Sequence, residues 1–372
     1  MNYHLILTDY CNLCCSYCRG RVGEYDDGAA EAFVLDDDVP LELAYDLDTL
    51  ASFLAGDPNP SVTFYGGEPL LRPDLITVIM NRIPKVKYLL HTNGTLLHQL
   101  PSSVINRIHT MSVSLDGPEA LTDRNRGLGT YRTVVNNVRA VREGGFCGEI
   151  IARMTVSEGM DIGGAVRHLA GNMDLSFPSI QWQLDADFSR ETGGDGFRSW
   201  IEGIYNPGIQ DLIRWWVDVM RTTGHVLRWY PFLEPLQDMI LGRRSLLRCG
   251  CGHESYGILT NGAIVPCPLM VGMKNYYIGH IASTQPDELP KYAIRGRCTD
   301  CRIRDFCGGR CLYSSVMGNW SEKRKDLICA TVFNLHDRLK EVLPEIKDLL
   351  ENNIIRPHDL DHPRFEGCEI IP

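Results

Sequence analysis

No apolar stretch in this chain reaches the ~20 residues that a membrane-spanning helix needs, and the N-terminus lacks the basic-then-apolar pattern of a secretory leader. Positive charge is not in excess either. Lys and Arg number 37 against 47 Asp and Glu, a net charge of −10, which argues against a nucleic-acid backbone as main partner. There is no repeat of fixed period and no low-complexity tract. These absences lead us to expect a cytoplasmic chain with neither membrane nor nucleic acid as partner. Its 372 residues are enough for a well-buried core.

Cysteine, by contrast, is plentiful. Disulfides are disfavoured in the cytoplasm, so fourteen cysteines point to metal binding or catalysis. Four lie in "TDYCNLCCSYCRG", Thr8–Gly20. Eight lie between Cys249 and Cys329, and Cys147 and Cys368 stand apart.

The first half of the chain alternates strand-like and helix-like runs. Strands are expected at Tyr3–Thr8, Ser61–Tyr65, Val86–Leu90, Met111–Leu115, Glu149–Val156 and Ile180–Leu184. Helices are expected at Leu47–Leu54, Leu70–Ile83, Ser102–Ile108, Tyr131–Arg142 and Ile162–Ala170. About six such alternations argue for parallel βα units, whose active sites gather at the C-terminal strand ends. The cysteine loop, "GGEP", "HTNG" and "SLDG" follow the first four strands in turn. The pattern breaks over Asp185–Arg244, where "SRETGGDG" reads as a polar loop and Gln210–Thr222 as a helix. Beyond Cys249, the apolar runs around Asn261-Gly262 predict a hairpin. A helix is expected near Asp326–Leu350.

Cys11, Cys15 and Cys18 are spaced CX3CX2C. Three thiolates on one loop suit a 4Fe–4S cluster with one iron left without a protein ligand. The competing reading is structural zinc, which takes four closed ligands. "YGGEPLL", Tyr65–Leu71, follows a strand. Its glycines permit close approach, and Glu68 can accept a charge-assisted hydrogen bond from an ammonium. As a plain reading, this is a tight strand–helix turn with Pro69 at the helix start.

With both motifs in a βα series, the chain resembles the radical S-adenosylmethionine (SAM) superfamily from Tyr3 to about Leu184. The resemblance implies a partial (β/α)6 barrel. Cys11, Cys15 and Cys18 would hold the SAM-binding cluster, with Tyr17, Gly66, Gly67 and Glu68 around SAM. Thr92, Asn93, Ser114 and Asp116 resemble the ribose-side positions, and Arg126 and Arg153 are candidates for the SAM carboxylate. The plain reading of either arginine is a surface salt bridge. Cys14 falls outside this frame.

The later cysteines run Cys251-X10-Gly262-X4-Cys267, then Cys298-X2-Cys301-X5-Cys307-X3-Cys311, then Cys329, and Cys249 suits the opening almost as well. This resembles the seven-cysteine SPASM extension of radical SAM enzymes. Zinc ribbons are the alternative, since soft S4 sites hold either metal. The resemblance implies two auxiliary 4Fe–4S clusters. One would use Cys267, Cys311, Cys251 and, as an open question, Cys249; the other would use Cys298, Cys301, Cys307 and Cys329. That makes three clusters, with SAM as the further cofactor. The implied fold class is α/β: a partial barrel followed by a small cysteine-rich domain with a β-hairpin and loops, closed by a C-terminal helix. The expected divisions are 1–190 for the barrel, 191–245 for a helical bridge, 246–335 for the auxiliary-cluster domain and 336–372 for the helix and tail.

The activity implied is reductive cleavage of SAM to a 5′-deoxyadenosyl radical, which takes a hydrogen atom from a peptide or protein and leaves a crosslink, an oxidation or an epimerised centre. Ferredoxin or flavodoxin would be the electron donor. The start "YHLILTDYCNLCCSYC" is similar to peptide-modifying members known from archaea. Three alternatives stand beside this: sulfatase-maturase-like formylglycine formation, a small-molecule enzyme such as a haem-pathway decarboxylase, and a non-enzymatic iron–sulfur or zinc scaffold. Formylglycine formers tend to carry an acid after the cysteine where this chain has Cys267-Pro268. Trp200, Trp215, Trp216 and Trp229 are candidates for a substrate path or, as aromatics usually are, for core.

Overall fold

The structure is a computed structural model that describes residues 1–18, 34–173, 175–185, 195–317, 321–362 and 364. Most of the loop expected at 189–196, the first boundary at 190 and Cys368 lie outside the described residues. Six parallel strands follow in chain order: β1 Asn2–Thr8, β2 Ser61–Gly66, β3 Lys87–Thr92, β4 Ile108–Ser114, β5 Glu149–Val156 and β6 Ser179–Leu184. Between them run the helices α1 Leu47–Ala55, α2 Pro73–Arg82, α3 Ser102–Ile105, α4 Glu119–Arg126, α5 Thr130–Glu143 and α6 Ile162–Gly171. The apolar run Leu70–Ile83 is not one helix. Pro73 starts α2, and Arg72 before it takes φ −125° and ψ 57°, so a 3-10 turn at Pro69–Leu71 stands apart.

The sheet continues past both ends of this series. A short β7, Arg228–Trp229, pairs with β6. On the other side β8, Ser255–Ile258, pairs in parallel with β1, Asn2 opposite Ser255 and Leu5 opposite Ile258. The expected hairpin joins β8 to β9, Ala263–Val265, and β10, Gly279–His280, closes that edge. The hairpin is thus part of the barrel's own sheet. Among the described residues, no helix is long and apolar enough to cross a membrane.

Period-two alternation gives each strand two unlike faces. Tyr3, Leu5, Leu7, Val62, Phe64, Tyr88, Leu90, Met111, Val113, Ala152, Met154, Ile180 and Trp182 belong to one core, packed against the helices. The intervening positions carry His4, Thr63, Tyr65, His91, Ser112, Ser114, Arg153, Gln181 and Gln183, with Ile6, Leu89 and Ile151 as apolar members among them. The inner face of the barrel is therefore largely polar although β1 is buried along its whole length.

After β6 come α7 Asp195–Trp200, α8 Asn206–Thr223 and α9 Tyr230–Leu241. The cysteine-rich segment adds α10 Arg304–Cys307 and α11 Leu312–Met317, and α12 Glu322–Glu351 packs along α8. Pro231 and Pro235 lie within α9, which hid that helix from pattern reading. Trp200, Trp216 and Trp229 are buried in the main core, and Trp215 packs against it. Their environment is core packing: Trp216 Nε1 donates to Leu227 O at 2.8 Å, and the Trp182 and Phe232 rings meet edge to face at 5.1 Å.

A buried ion cluster ties these parts together. Arg248, 1% exposed, donates Nη1 to Asp238 at 2.9 Å and Nε to the carbonyl of Phe306 at 2.7 Å. Glu234 and Arg364 complete the group. Burial pushes the Glu234 carboxyl up to about 7, against the pull of Arg248 and Arg364. Because Arg248 adjoins Cys249 and Phe306 adjoins Cys307, this one guanidinium fixes the two cysteine stretches to each other and to α9. Removing one partner of a buried ion pair strands the other, typically at ~3–5 kcal/mol. Arg248→Met is expected to lose stability of that order in urea unfolding under anaerobic conditions; a loss under about 1 kcal/mol would contradict the assigned role.

Candidate active site

The cysteine loop sits at the C-terminal end of β1 and is clamped from two sides. On one side the "GGEP" turn hydrogen-bonds to it through backbone alone: Gly67 N donates to Thr8 O and Glu68 N to Tyr10 O, both at 2.8 Å. A Cβ on Gly66, at φ +141°, would lie 2.2 Å from Thr8 O, and one on Gly67 would lie 2.3 Å from Tyr10 O. These glycines are needed for strand-to-loop contact, whatever else they approach. Glu68 is fully buried, and its carboxylate accepts from Leu70 N (3.0 Å), Thr92 Oγ1 (2.7 Å) and Asn93 N (2.7 Å). Burial pushes its pKa up to about 7, against the pull of those three bonds. The carboxylate thus aligns the end of β3, and Asn93 then reaches the loop, donating Nδ2 to Asn12 Oδ1 at 2.9 Å and to Cys11 Sγ at 3.8 Å.

On the other side stands Asp116, fully buried after β4. It accepts from both ends of the Arg126 fork at 3.0 and 2.9 Å, from Tyr17 Oη at 2.6 Å and from Thr155 N at 3.0 Å. Burial opposes the Arg126 charge, but Asp116 and Tyr17 outweigh it and raise its pKa. The arginine's fork is therefore committed to Asp116, and its plain reading becomes a buried ion pair rather than a surface one. Ser16 N donates to Asn125 O at 2.8 Å, a second tie from the same helix. Within the loop, Cys11, Cys15 and Cys18 lie close enough to act on one another electrostatically, and burial pushes Cys15 up to about 11. Cys14 is exposed and is not among the thiols acting on Cys11 or Cys15.

The eight later cysteines form two groups. Cys249, Cys251, Cys267 and Cys311 border one cavity of about 100 Å³. The Cys251 thiol lies within hydrogen-bonding reach of Cys249 and Cys267. Across the same cavity stand His4, Tyr65, His91, Arg153 and Gln183 from the inner face of the barrel. Cys298, Cys301, Cys307 and Cys329 border a separate cavity of about 60 Å³, together with Ile303, Val332 and Phe333. Among the described residues, no three His, Cys, Asp or Glu side chains converge tightly enough for a single metal ion. By chemistry, the donors are three thiols on a clamped loop and two groups of four soft sulfurs, one facing the polar inner side of the barrel and the other among Ile303, Val332 and Phe333. These fit iron–sulfur clusters, the first with an iron left for another ligand.

Of the residues singled out from sequence, Tyr17, Asp116 and Arg126 thus form one group, and Gly66, Gly67, Glu68, Thr92 and Asn93 another. Ser114 ends β4, and Arg153 faces the cavity beside the Cys249 group. Motif reading missed His4, His91, Gln181, Gln183 and Arg310. For the first four the signal was present, as polar residues within otherwise apolar strands such as "YHLILT" and "QWQL"; Arg310 lies between α10 and α11 and had no such signal. The three donors to Glu68 also generate a prediction. In Glu68→Gln the amide NH2 would face either the Asn93 N–H or the Leu70 and Thr92 donors. The substitution should cost about 1–3 kcal/mol of stability, the penalty of a buried unsatisfied donor, in anaerobic denaturant unfolding. Wild-type stability would instead leave Glu68 with a ligand role alone.

Residues 5–165 match the model of the Radical SAM superfamily. Among curated proteins, the chain is 22% identical to the AdoMet-dependent heme synthase of Oleidesulfovibrio alaskensis, over 82% of this chain and 80% of that one. The AdoMet-dependent heme synthase of Methanosarcina barkeri is 32% identical over 38% of each chain. Among solved structures, anSMEcpe with bound AdoMet and Cp18Cys peptide superposes with a TM-score of 0.69 at 18% identity, covering 93% of this chain and 99% of that one. Streptococcus suis SuiB bound to precursor peptide SuiA gives 0.55 at 14% identity, over 85% and 72%. With the clamped loop and the "GGEP" turn, these matches identify residues 5–165 as the radical SAM part of an enzyme whose C-terminal cysteine groups resemble the SPASM extension.

Proposed function

We propose that this enzyme removes a hydrogen atom from a small molecule, or from one arm of a peptide, that enters the barrel cavity, and that the substrate is oxidised there. When bound, an iron–sulfur cluster and SAM supply an electron and a 5′-deoxyadenosyl radical for that step. Cys11, Cys15 and Cys18 would hold the first cluster. Glu68 has one acceptor position left for the SAM ammonium, since three of about four are taken. Cys249, Cys251, Cys267 and Cys311 would hold one auxiliary cluster, and Cys298, Cys301, Cys307 and Cys329 the other.

The observation that carries this reading is the cavity shared by the polar inner face and the Cys249 group. A substrate against that inner face would sit between the loop site and a second redox centre held by those four cysteines, which could take the electron left after hydrogen abstraction. Ferredoxin or flavodoxin would serve as electron donor. The small-molecule reading comes first because the heme synthase match spans most of both chains. The second reading is modification of a peptide side chain, by crosslinking, oxidation, epimerisation or formylglycine formation. It draws on the fold shared with proteins crystallised with peptides.

Anaerobically reconstituted protein, reduced with dithionite, should release 5′-deoxyadenosine from SAM and contain roughly twelve irons with matching sulfide. Near-stoichiometric zinc with little sulfide and no cleavage would overturn the proposal. Cys14→Ala should keep SAM cleavage. Cys15→Ala should abolish it and retain roughly eight irons for the two auxiliary clusters; the opposite pattern would assign the loop ligands to another frame.

A further inference from the structure

The two later cysteine groups meet at one residue. Cys307 belongs to the group beside Ile303, Val332 and Phe333, and Cys311 to the group with Cys249, Cys251 and Cys267. The chain therefore crosses from one group to the other within four residues, a Cα separation of at most about 14 Å. Among the described residues, Arg310 alone lines both cavities. Its guanidinium acts electrostatically on Cys311 of the first group and on Cys307 and Cys329 of the second. Cys329 lies on α12, so this reach is not a consequence of sequence proximity.

The backbone here is left-handed three times in succession: Gly308 at φ 69°, Gly309 at φ 86° and Arg310 at φ 59°. For the two glycines that region costs little. At the third position an arginine takes a conformation that strains any residue with a Cβ, where a third glycine would make the same turn without strain. The turn does not account for the arginine, and strain retained in this way points to a role for the side chain. Neighbouring cations do not share its position. Arg248 adjoins Cys249 but bonds to Asp238 and to the carbonyl of Phe306. Arg297 acts on Cys298 and Cys329, both of the second group, and pairs with Glu322 and Asp326. Arg153 borders the first cavity and not the second.

We propose that Arg310 is a positioned charge shared by the two auxiliary clusters, raising the reduction potential of both. The inference rests on the assignment of these eight cysteines to two auxiliary clusters. Net charge and hydrogen bonds to the sulfurs are among the factors that set the potential of such a centre. A reduced cluster carries one more negative charge than an oxidised one. A guanidinium, which stays protonated in proteins, therefore stabilises the reduced form more than the oxidised form. Placed where the two groups adjoin, it acts on both, so their potentials move together. A cation that served one group would move one potential alone.

The test is an anaerobic reductive titration of the reconstituted enzyme followed by EPR, with SAM added to mark the first cluster. In Arg310→Gln at full iron content, the ratio of reduced to oxidised form at a fixed applied potential should drop at least about tenfold for both auxiliary clusters, a fall of about 59 mV for a one-electron couple. The same ratio for the first cluster should stay within about twofold. Arg310→Lys, which keeps the charge, should recover at least about half of each fall. A change at one auxiliary cluster alone, or at neither, would overturn the proposal. So would a fall that lysine does not recover, which would assign the effect to the shape of the side chain. If Arg310→Gln loses auxiliary iron, the lysine variant decides: full iron with both potentials near wild type supports the shared charge, and any other result overturns it. Clusters indifferent to Arg310 reject this inference alone, whereas wild-type protein that assembles no auxiliary clusters rejects the cluster assignment as well.

Discussion

Everything at the open end of this barrel depends on how closely two backbone segments approach. Gly66 and Gly67 bring the end of β2 against Thr8 and Tyr10 at hydrogen-bonding distance, where any Cβ would overlap a carbonyl. This contact sets the height of the cysteine loop above the sheet. It also places Glu68 where its carboxylate gathers donors from its own turn and from β3. Asn93, oriented in this way, reaches Cys11. A side-chain clamp would allow slack, but a backbone clamp between two parallel strands does not.

Charge is buried here sparingly and in a pattern. Asp116 gathers Arg126, Tyr17 and the Thr155 amide on one flank of the loop. The acids Glu234 and Asp238 gather Arg248 and Arg364 beside the later cysteine stretches. In both places each acid meets a guanidinium, as burial demands. The guanidinium of Arg153 meets His91 and Gln183 instead, on the cavity that the Cys249 group borders.

The βα order, the hairpin, the long last helix and the cysteine spacings were legible because each rests on local pattern: period two, Asn-Gly, period 3.6 and fixed intervals along the chain. What pattern could not supply was pairing between distant segments. Nothing near Ser255 announces that it lies beside Asn2, and nothing near Arg248 announces Asp238 or Phe306. The polar inner face was visible letter by letter in "YHLILT", but its meaning required knowing which side of β1 the helices cover. The tryptophans of the bridging segment likewise drew notice as aromatics, and only their packing against Phe232 and Trp182 identifies them as core.

The pairing of β1 with β8 bears on biosynthesis. The first strand of the sheet has one neighbour, β2, within about sixty residues, and the other lies some 250 residues further on. At roughly 5–20 residues per second, on the order of 12–50 s of translation separates the emergence of these two strands. Throughout that interval β1 presents an unpaired row of amides and carbonyls, the kind of edge on which other chains can template. The loop that it carries is meanwhile already made. A nascent chain of this enzyme therefore holds Cys11, Cys15 and Cys18 ready well before the edge beneath them is covered.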